Sequence, residues 1–380
     1  MMRFAKPPRG LLLGFALVLP LSALAGEEAA GLQQIDVFEA GKEGYHTFRI
    51  PSVLVTPRGT VLAFCEGRKQ GQGDSGDIDL VMKRSNDGGQ TWSPLQVIVD
   101  DGPNTVGNPC PVVDRASGTI WMPLTHNLGE DKEPQILDGT SRGTRSVWLI
   151  KSNDDGASWS KPIDLTAAVK APNWTWYATG PGVSIQLASG RLLVPCDHYV
   201  AGTKAAEAHI IYSDDAGASW KLGGTVGGGV NECQAVELAE GSVLLNLRNQ
   251  PRRPGEGRAV ALSRDGGLTF TPPTRDPALP EPGCQASLLR YSRPSDREGG
   301  LLLFSNPASS KRERMTIRAS TDEARSWSIS RVIHEGPSAY SCLTVLPDRT
   351  IGCLYERGHK SPYEKITFAR LTLSWLKQGR

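Results

Sequence analysis

Arg49 stands in "YHTFRIPSVLV", residues 45 to 55, where a polar loop becomes an apolar strand and an isoleucine would pack better. Arg248, in "LAEGSVLLNLRNQ", abuts a strand interior in the same way. A permanent cation at such a place requires an anionic partner. Planar guanidinium groups bind a carboxylate bidentately, so clustered arginines point to a carboxylate ligand. The two belong to a wider pattern. Seven residues after each of six turn positions (59, 118, 190, 241, 300 and 349) stand Glu66, Thr125, Asp197, Arg248, Pro307 and Glu356. Four of these six are charged, on strands that are otherwise apolar. If the strands are equivalent, charges of both signs converge at one mouth of the molecule; a solvated rim is the plainer alternative.

The elements that position them are repeats. One unit is an apolar strand entered through a turn, as in "TPRGTVLAFCEGR", "DRASGTIWMPLTHN", "LASGRLLVPCDHY", "LAEGSVLLNLRNQ", "REGGLLLFSNP" and, with Arg349 in place of glycine, "LPDRTIGCLYER". Their spacing of 49 to 72 residues suits four short strands plus loops, bounded by Gly, Pro, Asp and Ser. A second repeat, S-x-D-x-G-x-x-(W/F), interleaves with the first and begins at Ser85, Ser152, Ser213, Ser263 and, in a worn copy, Ser320. Its aspartate can accept backbone N–H groups, its glycine supplies positive φ, and its aromatic packs beneath the turn. One copy per unit is too many for a single active site, so these Asp boxes read as structural. The last copy has Ala324 at the glycine position, which predicts a strained or differently shaped turn. Six such units without a long amphipathic helix predict an all-β, six-bladed β-propeller with Asp-box hairpin turns; a double-sheet sandwich would not explain the sixfold recurrence.

Composition narrows the alternatives. Arg3 and Lys6, an uncharged apolar run from Leu11 to Leu24 and the small residues before Gly26 predict a signal peptide over 1–25. The run is shorter than the roughly 20 residues needed to span a bilayer. The expectation is therefore an exported chain, periplasmic or extracellular, with residues 26–380 as one catalytic domain and no stable membrane insertion. A net charge of +2, spread along the chain, leaves no footprint for nucleic acid. Seven cysteines, an odd number without a C-x-x-C pair, read as buried thiols. His46, His126 and His198 lack metal-site spacing, so neither a metal nor another cofactor is expected.

The ordered segments "FRIPS", "GRKQGQGDSGDIDLVMKRSNDGGQTW", "NECQAVEL", "NLRN", "SNPASSKRERMTIRAS" and "AYSCLTVLPDRTIGCLYE" resemble the exo-α-sialidases (neuraminidases) of animals and bacteria, from about Tyr45 to Glu356. The resemblance implies release of terminal sialic acids from glycans. It makes Arg49, Arg248 and Arg312 a triad for the sialic acid carboxylate, with Arg314 as a neighbouring alternative to Arg312, and Glu356 the residue that orients Arg49.

A sialoside bears a carboxylate on its anomeric carbon, so a carboxylate nucleophile would approach against like charge. Tyrosine is the family's answer, an exception to the usual two-carboxylate scheme. By resemblance it is Tyr340, with Glu232 as the base that a phenol of pKa about 10 requires. The same likeness makes Asp74 the acid/base, on a glycine-rich loop able to close, although Asp77 and Asp79 are rivals by composition. Arg68 becomes a further contact to the carboxylate or a ring hydroxyl, and Tyr177 an aromatic on the glycerol or leaving-group side. Trans-sialylation would use the same residues. A non-catalytic sugar-binding propeller would keep the arginines but have no use for Tyr340 with Glu232.

Overall fold

The computed structural model describes residues 1–5, 31–250 and 255–379. The apolar run of the expected signal segment lies outside the described residues. Strands dominate, and their pairings fall into six antiparallel groups, an arrangement compatible with six blades.

The first group is Thr47–Val55, Val61–Arg68, Ile78–Ser85 and Gln96–Val99. The second is built on Ile120–Asn127, flanked by Thr105–Gly107 and Val112–Val113 on one side and by Ser146–Ser152 and Ile163–Asp164 on the other. Leu192–Val200 and Val243–Asn249 hold the corresponding place in the third and fourth groups. The long strand Ile329–Val345 is shared: its first half pairs with Glu313–Ser320 and its second half with Ile351–Arg357, so the fifth and sixth groups form one sheet. The outermost strand of the sixth group comes from the other end of the chain, where Leu32–Glu39 pairs antiparallel with Lys365–Leu371.

The second strand of each group begins two residues after its turn, at Val61, Ile120, Leu192, Val243, Leu301 and Ile351. This register corrects the sequence reading in the fifth group. Of the neighbouring glycines 299 and 300, it is Gly299 that lies two residues before Leu301 and takes the positive φ (69°) of the turn. The seventh position is accordingly Asn306, buried at the strand end, and not Pro307. These strands are apolar on both faces because each is covered by the neighbouring groups, and the core is a set of contiguous apolar clusters between groups. All seven cysteines are buried, free thiols within it.

The S-x-D-x-G turns join the third and fourth strands and lie beside the start of the second, as Ser85 pairs with Val61 and Ser213 with Leu192. In the first, Asp87 Oδ1 accepts from Ser85 Oγ (2.7 Å) and Thr91 N (2.9 Å), while Gly89 N donates to Ser85 Oγ (2.8 Å). The glycine is required by contact as well as by conformation. A Cβ on Gly89 would stand 2.2 Å from Phe368, one on Gly217 2.1 Å from Trp121, and one on Gly156 2.7 Å from Leu62. Each turn thus rests on the preceding group. The worn copy keeps the shape: Ala324 N donates to Ser320 Oγ at 2.9 Å and Ser326 N to Asp322 Oδ1 at 2.9 Å. The expected strain is present, with Glu323 and Ala324 at φ 61° and 64°, but the expected change of shape is not.

Candidate active site

The opposite ends of the second strands surround a polar cleft. Glu66, Asp197 and Arg248 line it together with residues of the first strands. Those first strands are not regular. The pairing register slips between Arg49 and Ser52, between Trp174 and Tyr177, between Val230 and Cys233, and between Ser338 and Ser341. Arg49, Trp176, Glu232 and Tyr340 lie at or inside these slips, and an extra residue in one strand re-aims side chains that strict alternation would place elsewhere.

Arg49 is buried and held by Glu356, with Nε donating to Oε1 at 2.9 Å. The fully buried Glu356 also accepts the backbone N–H groups of Ile50 (3.0 Å) and Tyr340 (3.0 Å). One carboxylate therefore fixes both the arginine and the backbone of the tyrosine. Ile50 is held at φ 61°, an outlying conformation for a β-branched residue. The Arg49 guanidinium lies over the rings of Tyr363 (4.1 Å) and Tyr340 (5.2 Å).

Tyr340 and Glu232 come from different groups and meet. The phenol donates to Glu232 Oε1, and Arg248 Nη1 contacts both Glu232 Oε2 (2.6 Å) and the phenol oxygen (3.2 Å). Burial, followed by the negative charge of Glu232, pushes the Tyr340 phenol well above its ordinary range, against the pull of Arg248 and Arg312. The phenol is therefore protonated and hydrogen-bonded to a group that can take its proton.

Arg312 lines the same cleft, its Nη1 donating to Tyr363 Oη at 2.6 Å and its guanidinium 5.5 Å from the Tyr340 ring. Arg314, the alternative left open by the sequence, pairs with Glu335 at 3.3 Å and is 53% exposed. It does not line the cleft.

The loop after Val61–Arg68 is laced to Arg68, whose Nη1 donates to the carbonyls of Gln72 (2.5 Å) and Gly73 (3.0 Å). Arg68 Nη2 also reaches Glu66 Oε2 (2.5 Å) and Asp74 Oδ1 (2.8 Å). The same oxygen of Asp74 lies 3.8 Å from Arg49, with its side chain 59% exposed. Partial burial pushes the Asp74 carboxyl up, but Arg68 and Arg49 beside it outweigh that and hold it below the usual range. Its rivals face elsewhere: Asp77 and Asp79 pair with Lys69 (2.9 and 3.1 Å), and Asp79 accepts from Tyr45 Oη.

Tyr177 is the misplaced candidate. It is fully buried against Trp174 and His209, and the residues on either side of it, Trp176 and Ala178, line the cleft. Alternation along the strand turns Tyr177 into the core. Sequence reasoning missed Arg145, which lies 3.9 Å from the Trp176 ring and donates from Nη2 to Asn108 Oδ1 (2.5 Å) and Thr125 Oγ1 (3.0 Å). The signal was available, since Arg145 precedes the apolar "SVWLI" much as Arg49 precedes "IPSVLV". Glu133, on the short helix Glu133–Asp138, also lines the cleft and had no such signal.

The chain is similar to known proteins over most of its length. Residues 59–353 match the family described as the BNR repeat-like domain. The chain is 36% identical over 361 residues to a sialidase of Micromonospora viridifaciens, covering 90% of this chain and 54% of that protein, so it spans about half the length of that relative. It is 34% identical to an exo-alpha-sialidase of Aspergillus fumigatus, covering 88% of this chain and 86% of the relative. Among solved structures, the Hadza microbial sialidase Hz136 superposes with a TM-score of 0.83 at 33% identity, covering 90% of this chain and 69% of the other.

Proposed function

We infer that this chain, which belongs to the sialidase family of glycoside hydrolases, removes terminal α-linked sialic acids from glycans with retention, through a tyrosyl intermediate. The observation that carries the reading is the contact of Tyr340 with Glu232, bridged by Arg248 and flanked by Arg49 and Arg312. A non-catalytic sugar site would have no need of a base on a buried phenol.

In this reading the substrate carboxylate docks on Arg49, Arg248 and Arg312. Its arrival gives Arg49 a third anion beside Glu356 and Asp74, which weakens that arginine's hold on Asp74 and raises the aspartate toward the protonation an acid needs. Glu232 takes the phenol proton as the Tyr340 oxygen bonds to the anomeric carbon, and protonated Asp74 delivers its proton to the departing glycosidic oxygen. Asp74, now a carboxylate, next deprotonates a water that displaces the tyrosyl oxygen, which recovers its proton from Glu232. Two displacements at one carbon restore the original configuration. Arg68 tethers the Asp74 loop through the carbonyls of Gln72 and Gly73.

The test is release of free sialic acid from a fluorogenic α-sialoside and from sialyllactose, by the parent and by Tyr340→Phe. Turnover by the parent, lowered about a thousandfold or more in the variant, is the expected result. Binding of sialic acid without turnover by the parent defeats the hydrolase reading, and a sialylated or anhydro product in place of free sugar replaces hydrolysis with transfer. Export is part of the proposal and rests on residues 1–25; it fails if the exported fraction holds no chain cut near Gly26.

A further inference from the structure

The buried ionic side chains of the cleft nearly all have partners. Glu66 holds Arg68, Glu232 holds Arg248 and Tyr340, and Glu356 holds Arg49. Two depart from this pattern: Arg145, bonded only to the neutral Asn108 and Thr125, and Asp197. Asp197 stands at the end of Leu192–Val200, in the seventh position after its turn, and is 1% exposed. Among the described residues its Oδ2 has no hydrogen-bond partner and is sealed from solvent. The ionisable groups around it come from several elements: Glu232 and Arg248 on the fourth group, Arg145 at the start of Ser146–Ser152, and Glu133 on the short helix. None of them forms an ion pair with it within 4 Å.

Sealing one carboxylate oxygen from water without a donor disfavours the anion. The group escapes that cost by keeping its proton, and burial, followed by the negative charge of Glu232, pushes it in that direction. A carboxylic acid offers one O–H donor and acceptor lone pairs. That complements a hydroxyl, which also donates and accepts, and does not complement a ligand carboxylate, for which the three arginines are already set.

The wall beside it has the same character. Tyr199, two residues on and so on the same face of the strand, has its hydroxyl bonded by Gln250 Nε2 at 3.3 Å. Asn231 carries a buried Oδ1 with no partner. All four residues line the cleft.

We propose that Asp197 is a specificity-determining residue that reads one uncharged hydroxyl of the bound sialic acid, acting as a hydrogen-bonding carboxylic acid and not as an anion. The assignment rests on the sialidase reading above. It gives Asp197 a part distinct from Glu232, which must be ionised to take a proton, although both carboxyls line one cleft.

The experiment measures kcat and KM for the parent, Asp197→Asn and Asp197→Ala on three substrates: a fluorogenic α-sialoside, its 4-deoxy analogue, and the analogue whose polyol arm is shortened by periodate and borohydride. Asn is isosteric and neutral, with a donor and an acceptor of its own. It should hold kcat/KM within about threefold, whereas Ala should lose about ten- to thirtyfold, mainly through KM. The loss in Ala should vanish on the one analogue that lacks the hydroxyl concerned. The assignment is overturned if Asn is as damaging as Ala, which would mean an anion is needed, or if Ala loses equally on all three substrates, which would mean a structural role. A parent that turns over none of them defeats the sialidase reading itself, while an active parent with an unaffected Asp197→Ala defeats this assignment alone.

Discussion

The second strand of each group has two ends that could hardly be more different. Where the strand starts, five turns repeat one network of serine, aspartate and backbone N–H groups, with closely matching distances in the intact and the worn copies. Seven residues later the same strands carry Glu66, Thr125, Asp197, Arg248, Asn306 and Glu356. The first end performs one task five times, seating five of the six groups on the one before it. The second ends converge on one cleft, and an asymmetric ligand needs a different group from each direction. Repetition in this chain marks what holds the groups together, and departure from repetition marks what they hold.

That contrast can be broken by experiment. The largest effect is expected from Glu356→Gln at the cleft end. It leaves Arg49 without its buried partner and gives two backbone donors a partner with one acceptor oxygen. Loss of a buried ionic partner costs about 3–5 kcal/mol, and kcat/KM should fall about a hundredfold or more because Arg49 and Tyr340 are both released. Denaturant unfolding and steady-state kinetics on the same preparation check it; full activity at the parent's stability would show that Glu356 orients nothing.

At the other end, Gly217→Ala drives a methyl to 2.1 Å from Trp121 at a φ of 93°. About 2–4 kcal/mol of stability should be lost, with kcat of the folded fraction unchanged. A kcat that falls with stability would mean that the two ends are coupled and the division is false. The smallest effect is expected where repetition has lapsed: Ala324→Gly relieves a positive φ and should raise stability by up to about 1 kcal/mol, read as a higher denaturant midpoint with unaltered kinetics. A lowered midpoint would show that the Ala324 methyl, packed near Trp327, contributes more than the strained backbone costs.

The cleft was legible in the sequence wherever a residue type contradicted its surroundings. Arg49 and Arg248 are cations on apolar strands, and both line the site. The misreadings have a common cause, which is that local register is set by backbone geometry. Adjacent glycines at 299 and 300 hid which one turns the chain, and moved the seventh position from Asn306 to Pro307. The slip between Trp174 and Tyr177 decides which aromatic faces the cleft, and nothing in "NWTWYATG" announces it. Glu133 arrives on a short helix from outside the repeat, where no register predicts it.

The pairing of Leu32–Glu39 with Lys365–Leu371 also has a consequence in time. A strand near the start of the chain must wait for partners more than three hundred residues away, a contact of very high sequence separation that forms late and slowly. Arg49 belongs to the first group and its counter-ion Glu356 to the last, so the buried charge is matched only when the ring is joined. During synthesis a chain that has passed Arg49 and not yet reached Glu356 carries the arginine without the glutamate. The pairing of Arg49 is thereby tied to the finished ring, and a chain that stops short of Glu356 is both unclosed and without that pair.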